Sequence, residues 1–94
     1  MTRSTARIRT EHASRYLQQL CKHFAHKIPV TFGKTEGRIS FDGNDCVLEA
    51  KGDVLIITVQ APDTPTVERL QDAIVRHLDR FAFRDKPEVD WTAA

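Results

Sequence analysis

The spacing of apolar residues changes three times along this chain, and each change marks an element. Ala6 and Ile8 alternate with polar neighbours and predict a short strand over 5–9. From there the interval lengthens, and Ala13, Leu17, Leu20, Cys21 and Phe24 fall on one side of a helix. Thr10 is the expected N-cap, although the acid three residues later that would complete a capping box is absent. The helix must end ahead of Pro29, because the residue before proline disfavours helical backbone.

Alternation then returns. Ile28, Val30 and Phe32 form one inward set, and Gly33 to Gly37 turn the chain. Ile39 and Phe41 form the next set, and Asp42-Gly43-Asn44-Asp45 is a hairpin signal. Cys46, Leu48 and Ala50 follow, then the turn Lys51-Gly52-Asp53 and the strand-like run Val54 to Val59. Pro62-Asp63-Thr64-Pro65 announces a second helix, with Thr64 as expected N-cap and Pro65 in the first helical position. Val67, Leu70, Ile74, Leu78 and Phe81 make its buried stripe. Glu68, Arg69, Asp72, Arg76, Asp79 and Arg80 make a solvated face of mixed sign. Glu88-Val89-Asp90-Trp91 predicts a short edge strand held by its tryptophan.

The expected fold is α+β, a two-layer sandwich in which an antiparallel β-meander carries two helices on one face, in the order β-α-β-β-β-β-α with a last β. The whole chain, 1–94, reads as a single domain. The open face of the sheet would carry Thr31, Arg38, Ser40, Val47, Glu49, Ile56 and Thr58. Val47 and Ile56 make it slightly apolar for a solvated surface, so it is either a dimer interface or an ordinary exterior.

Composition narrows the class. The chain is 40% hydrophobic and 29% charged, ordinary for a globular protein. No apolar run approaches a membrane span, and Met1 to Arg7 has no apolar core behind its arginines, so no secretory signal is read there. Cys21 and Cys46 are too few for a disulfide scaffold and are expected as reduced, buried thiols. A cytoplasmic location is expected. The net charge of +1 conceals a split. Up to Lys34 there are seven Lys/Arg against one acid, Glu11, a balance of +6; the remainder carries seven against twelve, a balance of −5. Such a split steers anions toward the first third of the fold unless the two parts neutralise each other on packing. A net charge this small does not suggest a duplex nucleic-acid binder.

The chemistry concentrates on the first helix. Arg15, Lys22 and His26 lie opposite its apolar stripe, and His23 lies on a flank with Tyr16 and Lys27. Three readings compete. His23 and His26, three residues apart, could share a metal, but a third or fourth ligand is missing from the neighbourhood. Cys21 and Cys46 point to the core, Lys22 and Lys27 repel a cation, and only Glu49 or Glu11 could be brought near by folding. No metal and no cofactor are therefore expected. Arg15, Lys22, His23, His26 and Lys27 together suit a carboxylate or phosphate, with binding that strengthens as imidazole protonates. The plain alternative is a basic, solvated helix face. His77 flanks the second helix beside Ala73 and is expected to be a satisfied, half-buried histidine near the first helix. No phosphate-binding glycine loop, nucleophile elbow or Cys-His-Asn pattern is present, so catalysis is not expected. His23 as acid or base with Tyr16 is the one enzymatic alternative.

The segment Ser14-Arg15-Tyr16-Leu17-Gln18-Gln19-Leu20-Cys21-Lys22-His23-Phe24-Ala25-His26-Lys27-Ile28-Pro29-Val30 resembles the small bacterial domain-of-unknown-function family 2218 (DUF2218). Arg76-His77-Leu78-Asp79-Arg80-Phe81-Ala82-Phe83-Arg84 and Val89-Asp90-Trp91 resemble its later motifs. The resemblance spans nearly the whole chain. It places Lys22, His23, His26, Lys27, His77, Arg80 and Arg84 on motif positions without assigning them a reaction. Members resembling this chain occur alone or appended to siderophore-interacting flavin reductases, which implies a role near iron uptake, a ferric chelate as ligand, or a protein partner in that process. Some relatives carry an aldolase label, and no residue pattern here supports it.

Overall fold

The computed structural model describes residues 2–81 and 89–93. The side chain of Phe81, the Ala82-Phe83-Arg84 end of the second motif and Glu88 fall outside what is described. Six strands and two helices follow in order: β1 (Thr2–Arg9), α1 (Ala13–Ala25), β2 (Val30–Phe32), β3 (Glu36–Phe41), β4 (Asn44–Lys51), β5 (Val54–Ala61), α2 (Thr64–Phe81) and β6 (Trp91–Ala93). The sheet runs β2-β3-β4-β5-β1-β6 and is antiparallel throughout. This is the expected α+β sandwich. Among the described residues, no helix is long and apolar enough to cross a membrane.

Two boundaries differ from expectation. β1 begins at Thr2 rather than Thr5, because β5 offers an eight-residue ladder from Thr2↔Ala61 to Arg9↔Val54. The last strand is Trp91–Ala93, paired with Ser4–Ala6, rather than the stretch ending at Trp91. β1 joins the far side of β5, and α1 crosses the sheet to deliver β2 to the opposite edge. Turn chemistry fixes the hairpins. Asp42 and Gly43 both adopt positive φ (52° and 83°), as a two-residue type I′ loop requires, and Gly52 does so at 59°.

Both helix starts move by a residue or more. His12, not Thr10, stands at the cap of α1; Thr10 Oγ1 instead accepts the His12 N–H at 3.1 Å, a turn ahead of the helix. At α2 the cap is Asp63 rather than Thr64. Its Oδ1 accepts the Thr66 N–H at 2.8 Å, leaving Thr64 and Pro65 in the first turn, where proline has no hydrogen bond to lose.

The helices cover one face of the sheet. Ile8, Ile39, Leu48, Leu55, Ile57 and Val59 of the sheet and Leu17, Leu20, Ile74 and Leu78 of the helices form the dry core. Each such side chain contributes about 1.5–3 kcal/mol through burial. α1 sits unusually close to β3. A Cβ placed on Gly37 would lie 2.7 Å from Cys21 Sγ and 3.2 Å from Phe32 Cβ, so the seat of the helix admits only glycine. Polar contacts fix the layer edges. Ser14 Oγ donates to the Lys34 carbonyl, Gln71 Nε2 donates to Ser4 Oγ at 2.8 Å, and Ser4 Oγ donates to the Thr92 carbonyl at 3.2 Å. The last two tie α2, β1 and β6 together. Cys21 and Cys46 are both free and buried. Burial pushes the Cys21 thiol up to about 11; it pushes Cys46 up as well, with the neighbouring Cys21 adding to the effect. Neither is a nucleophile at neutral pH.

Gly37→Ala should destabilise the fold by about 1–3 kcal/mol in chemical denaturation. Combining it with Cys21→Ala, which removes the clashing sulfur, should cost less than the sum of the two single changes; simple additivity would show that the close approach is not the constraint. Asp63 is held below its ordinary carboxyl value of 3.8 by the hydroxyl and N–H of Thr66. Its stabilisation is therefore present at neutral pH and disappears as pH falls through and below that value. Asp63→Ala should lower the melting temperature more at pH 7 than at pH 2, where the protonated carboxyl still accepts a hydrogen bond but has lost its charge, and Asp63→Asn should retain most of the cap at both.

Candidate functional site

α1 turns Leu17, Leu20, Cys21 and Phe24 into the core, which leaves His23 on the flank that meets α2. On α2, His77 sits beside Ile74 and Leu78 on the matching flank. Packing of the two stripes on one sheet brings the imidazoles together, with ring centroids 4.3 Å apart and a tilt of 46°. Phe24 is wedged edge-on against His77 at 4.8 Å and against Phe41 of β3 at 5.0 Å. The result is a continuous run of rings, Phe41, Phe24, His77 and His23, across both helices and the sheet.

Hydrogen bonding fixes the orientation of one ring. His77 Nδ1 lies 2.6 Å from the Ala73 carbonyl, and a carbonyl only accepts, so Nδ1 carries the proton. In the neutral ring Nε2 is then an acceptor, and a second proton would make it a donor. His23 is held below its ordinary value of 6.5, first by burial and then by the positive charge of His77, Arg80, Lys27 and His26. Among the described residues every charged side chain that acts on it is a base, so none of them compensates the charge His23 would acquire. The C-terminal end of α1 adds its own polarity. The Phe24 carbonyl accepts from both Lys27 N–H and Ile28 N–H at 3.0 Å, and the helix dipole at that end favours cations.

The structure thus gathers His23, His26 and Lys27 of the expected set and joins them to His77 and Arg80 from α2. Arg15 and Lys22 are exposed on the solvent side of α1 and are not among the groups acting on His23. Arg15 is about 12 Å from His23 along the helix axis. Arg80 was legible as part of the mixed-charge face of α2 and as a motif position of the family resemblance; its three-residue spacing from His77 was the signal that the two share a face. Tyr16 packs its ring on His12 at 5.8 Å, so Tyr16 and His23 have different ring neighbours. Glu49 is on the far face of the sheet, 3.3 Å from Lys51. Among the described residues no three His, Cys, Asp or Glu side chains group as metal ligands.

The charge split persists in the folded chain. Among the described residues both ion pairs, Lys51 with Glu49 and Arg76 with Asp72, lie within the acidic part and leave the basic first third unpaired. Next to the ring run, Ile28, Phe41 and Leu70 line an open cleft of about 480 Å³ with Asp42, Asn44, Thr66 and Arg69 at its polar margins. A surface hollow of about 610 Å³ is on the other face of the sheet, away from the imidazoles.

Comparison with known proteins gives a family and a fold. The family described as an uncharacterised protein conserved in bacteria, DUF2218, matches residues 5–92. The NMR structure of PA4090 from Pseudomonas aeruginosa is 36% identical, with a TM-score of 0.82 over 98% of this chain and 96% of that one. No similar sequence is found among curated proteins.

Histidine titration by NMR should place His23 below 6.5, whereas Arg80→Ala should raise it part of the way back. Because burial is the larger cause, full restoration would show that charge alone governs the site. The sign for stability follows. A histidine whose folded value is depressed binds its proton more tightly when unfolded, so stability falls as pH drops from 6.5 toward the folded value. His23→Gln should flatten that slope in denaturation curves.

Proposed function

The chain belongs to the uncharacterised bacterial family DUF2218, and from its paired-helix site we propose that it is a cytoplasmic binding module for an anionic ligand. The observation that carries this reading is the packing of His23 on His77, ring centroids 4.3 Å apart, where among the described residues the charged groups acting on His23 are all bases. Holding two imidazoles, a guanidinium and an ammonium together is unfavourable in the free protein, and an anion offsets that repulsion. Arg80 and Lys27 give it fixed charge, His26 gives it a further ring N–H donor, and His23 adds a donor as it protonates. Arg15 and Lys22, on the outer side of α1, extend the positive field that would attract it. The adjoining cleft at Ile28, Phe41 and Leu70 gives an apolar body a place beside the charged end. The iron-uptake association implied by the family resemblance makes ferric chelates with carboxylate or catecholate groups the first ligands to try, with a protein partner from that process as the wider setting.

A ¹H–¹⁵N NMR titration with phosphate, citrate and a ferric catecholate should give saturable shifts at residues 23–27 and 77–80. Affinity should rise as pH falls through the histidine range, and Arg80→Ala should weaken it about tenfold, as expected for one charge-assisted contact. Shifts that stay linear to high ligand concentration, or that spread evenly over all basic residues, would overturn the reading.

A further inference from the structure

We infer that the outer face of the sheet is an interface with a second copy of this chain, the two copies packing face to face about a two-fold axis that runs along β5. This surface is on the opposite side of the sheet from the histidines, and the inference does not rest on the ligand reading.

Among the described residues no helix covers this face. Its middle is β5, whose outward residues Val54, Ile56 and Thr58 are uncharged and half-buried within one copy. The charges are sorted to either side. β1 presents Arg3, Arg7 and Arg9 with Thr5 between them and no acid. β4 presents Asp45 and Glu49 around Val47, with Lys51 paired to Glu49 at its end; on β3, Glu36 stands next to Glu49 and Arg38 next to Val47, so this side holds three acids against two bases.

The register matters more than the count. Arg7, Ile56 and Glu49 form one row across β1, β5 and β4. Thr5, Thr58 and Val47 form the next row. Beyond it Arg3 and Asp45 share the walls of a hollow with Gln60. Base and acid are therefore displaced by the same amount, one strand spacing of about 4.8 Å, on opposite sides of β5. A half-turn about an axis along β5 exchanges the two sides without changing height along the strands. It lays Arg7 of the second copy over Glu49, Arg3 of the second copy over Asp45, and Ile56 over its own counterpart. A two-fold axis running across the strands would instead stack β1 on β1, arginine on arginine.

Shape agrees with charge. The hollow of about 610 Å³ on this face is walled by Glu36, Glu49, Arg38 and Val47, and has room for the long arm of Arg7 from the second copy. Two carboxylates there can share one guanidinium. Arg9, Val54 and Lys51 form the end row, which would set like charges opposite each other at the rim, where water and salt screen them. The four central strands offer roughly 500 Å² per copy. Doubled, that meets the lower bound for a specific interface, so a weak, salt-sensitive dimer is expected.

Sedimentation equilibrium of the full chain at about 0.5 mM and low salt tests this, with concentration chosen for a small interface. The unmodified chain should dimerise, and added salt should weaken the dimer. Arg7→Glu and Glu49→Arg should each weaken self-association by ~10²-fold or more, since each sets like charges together twice. Mixed one to one, the two variants should dimerise again, because each then meets its complement. A monomer under all conditions would overturn the proposal, as would a dimer indifferent to Arg7→Glu or a mixture that stays monomeric. Circular dichroism of each variant separates loss of association from loss of fold.

Discussion

The close seat of α1 on the sheet, with Cys21 Sγ against the bare Cα of Gly37, sets the position of everything else in this protein. A helix packed at that distance cannot rotate or slide without a clash, since interiors tolerate overpacking poorly. Its azimuth is therefore fixed, and with it the flank on which His23 lies. Phe24 then fills the gap to Phe41 and packs edge-on against both His77 and His23. The imidazole pair is a consequence of core packing rather than of any local motif.

Two polarities result from one sheet. On the helix side, cations accumulate where α1 ends and α2 passes, and the nearest charges add to one another instead of cancelling. On the other side, β1 and β4 sort arginines from carboxylates across a neutral central strand. Both faces carry charge that is only partly compensated within one copy, Glu49 by Lys51 on the sheet side, yet they call for different partners. The helix side suits a small anion, whereas the sheet side is complementary to itself. The buried thiols contribute neither chemistry nor charge, since desolvation keeps both protonated at neutral pH.

Much of this was legible in the chain. The period of apolar residues determined the element order, the two-layer class and which residues point inward, because burial on one face of a strand or helix repeats at a fixed interval. The loops Asp42-Gly43 and Gly52-Asp53 were readable from glycine's access to positive φ. The open face of the sheet, from Thr31 to Thr58, also followed from alternation. Helix starts were less legible. Thr64 and Asp63 are both good caps by type, and only the reach of Asp63 Oδ1 to the Thr66 N–H distinguishes them.

Sequence alone placed His23, His26 and Lys27 at one end of the first helix by their i, i+3 and i+4 spacing, although the helix ends at Ala25 and leaves His26 as its C-cap and Lys27 in the turn beyond. It could not determine that His77 and Arg80, more than fifty residues away, complete the cluster. Nor could it show that Arg15 and Lys22 stand outside it, or that Glu49 is on the far side of the sheet. Those outcomes depend on which flank of α1 faces α2 and on how β1, β4 and β5 register. Tertiary packing decided both, because contacts between distant segments are selected by shape and burial over the whole core rather than by local spacing.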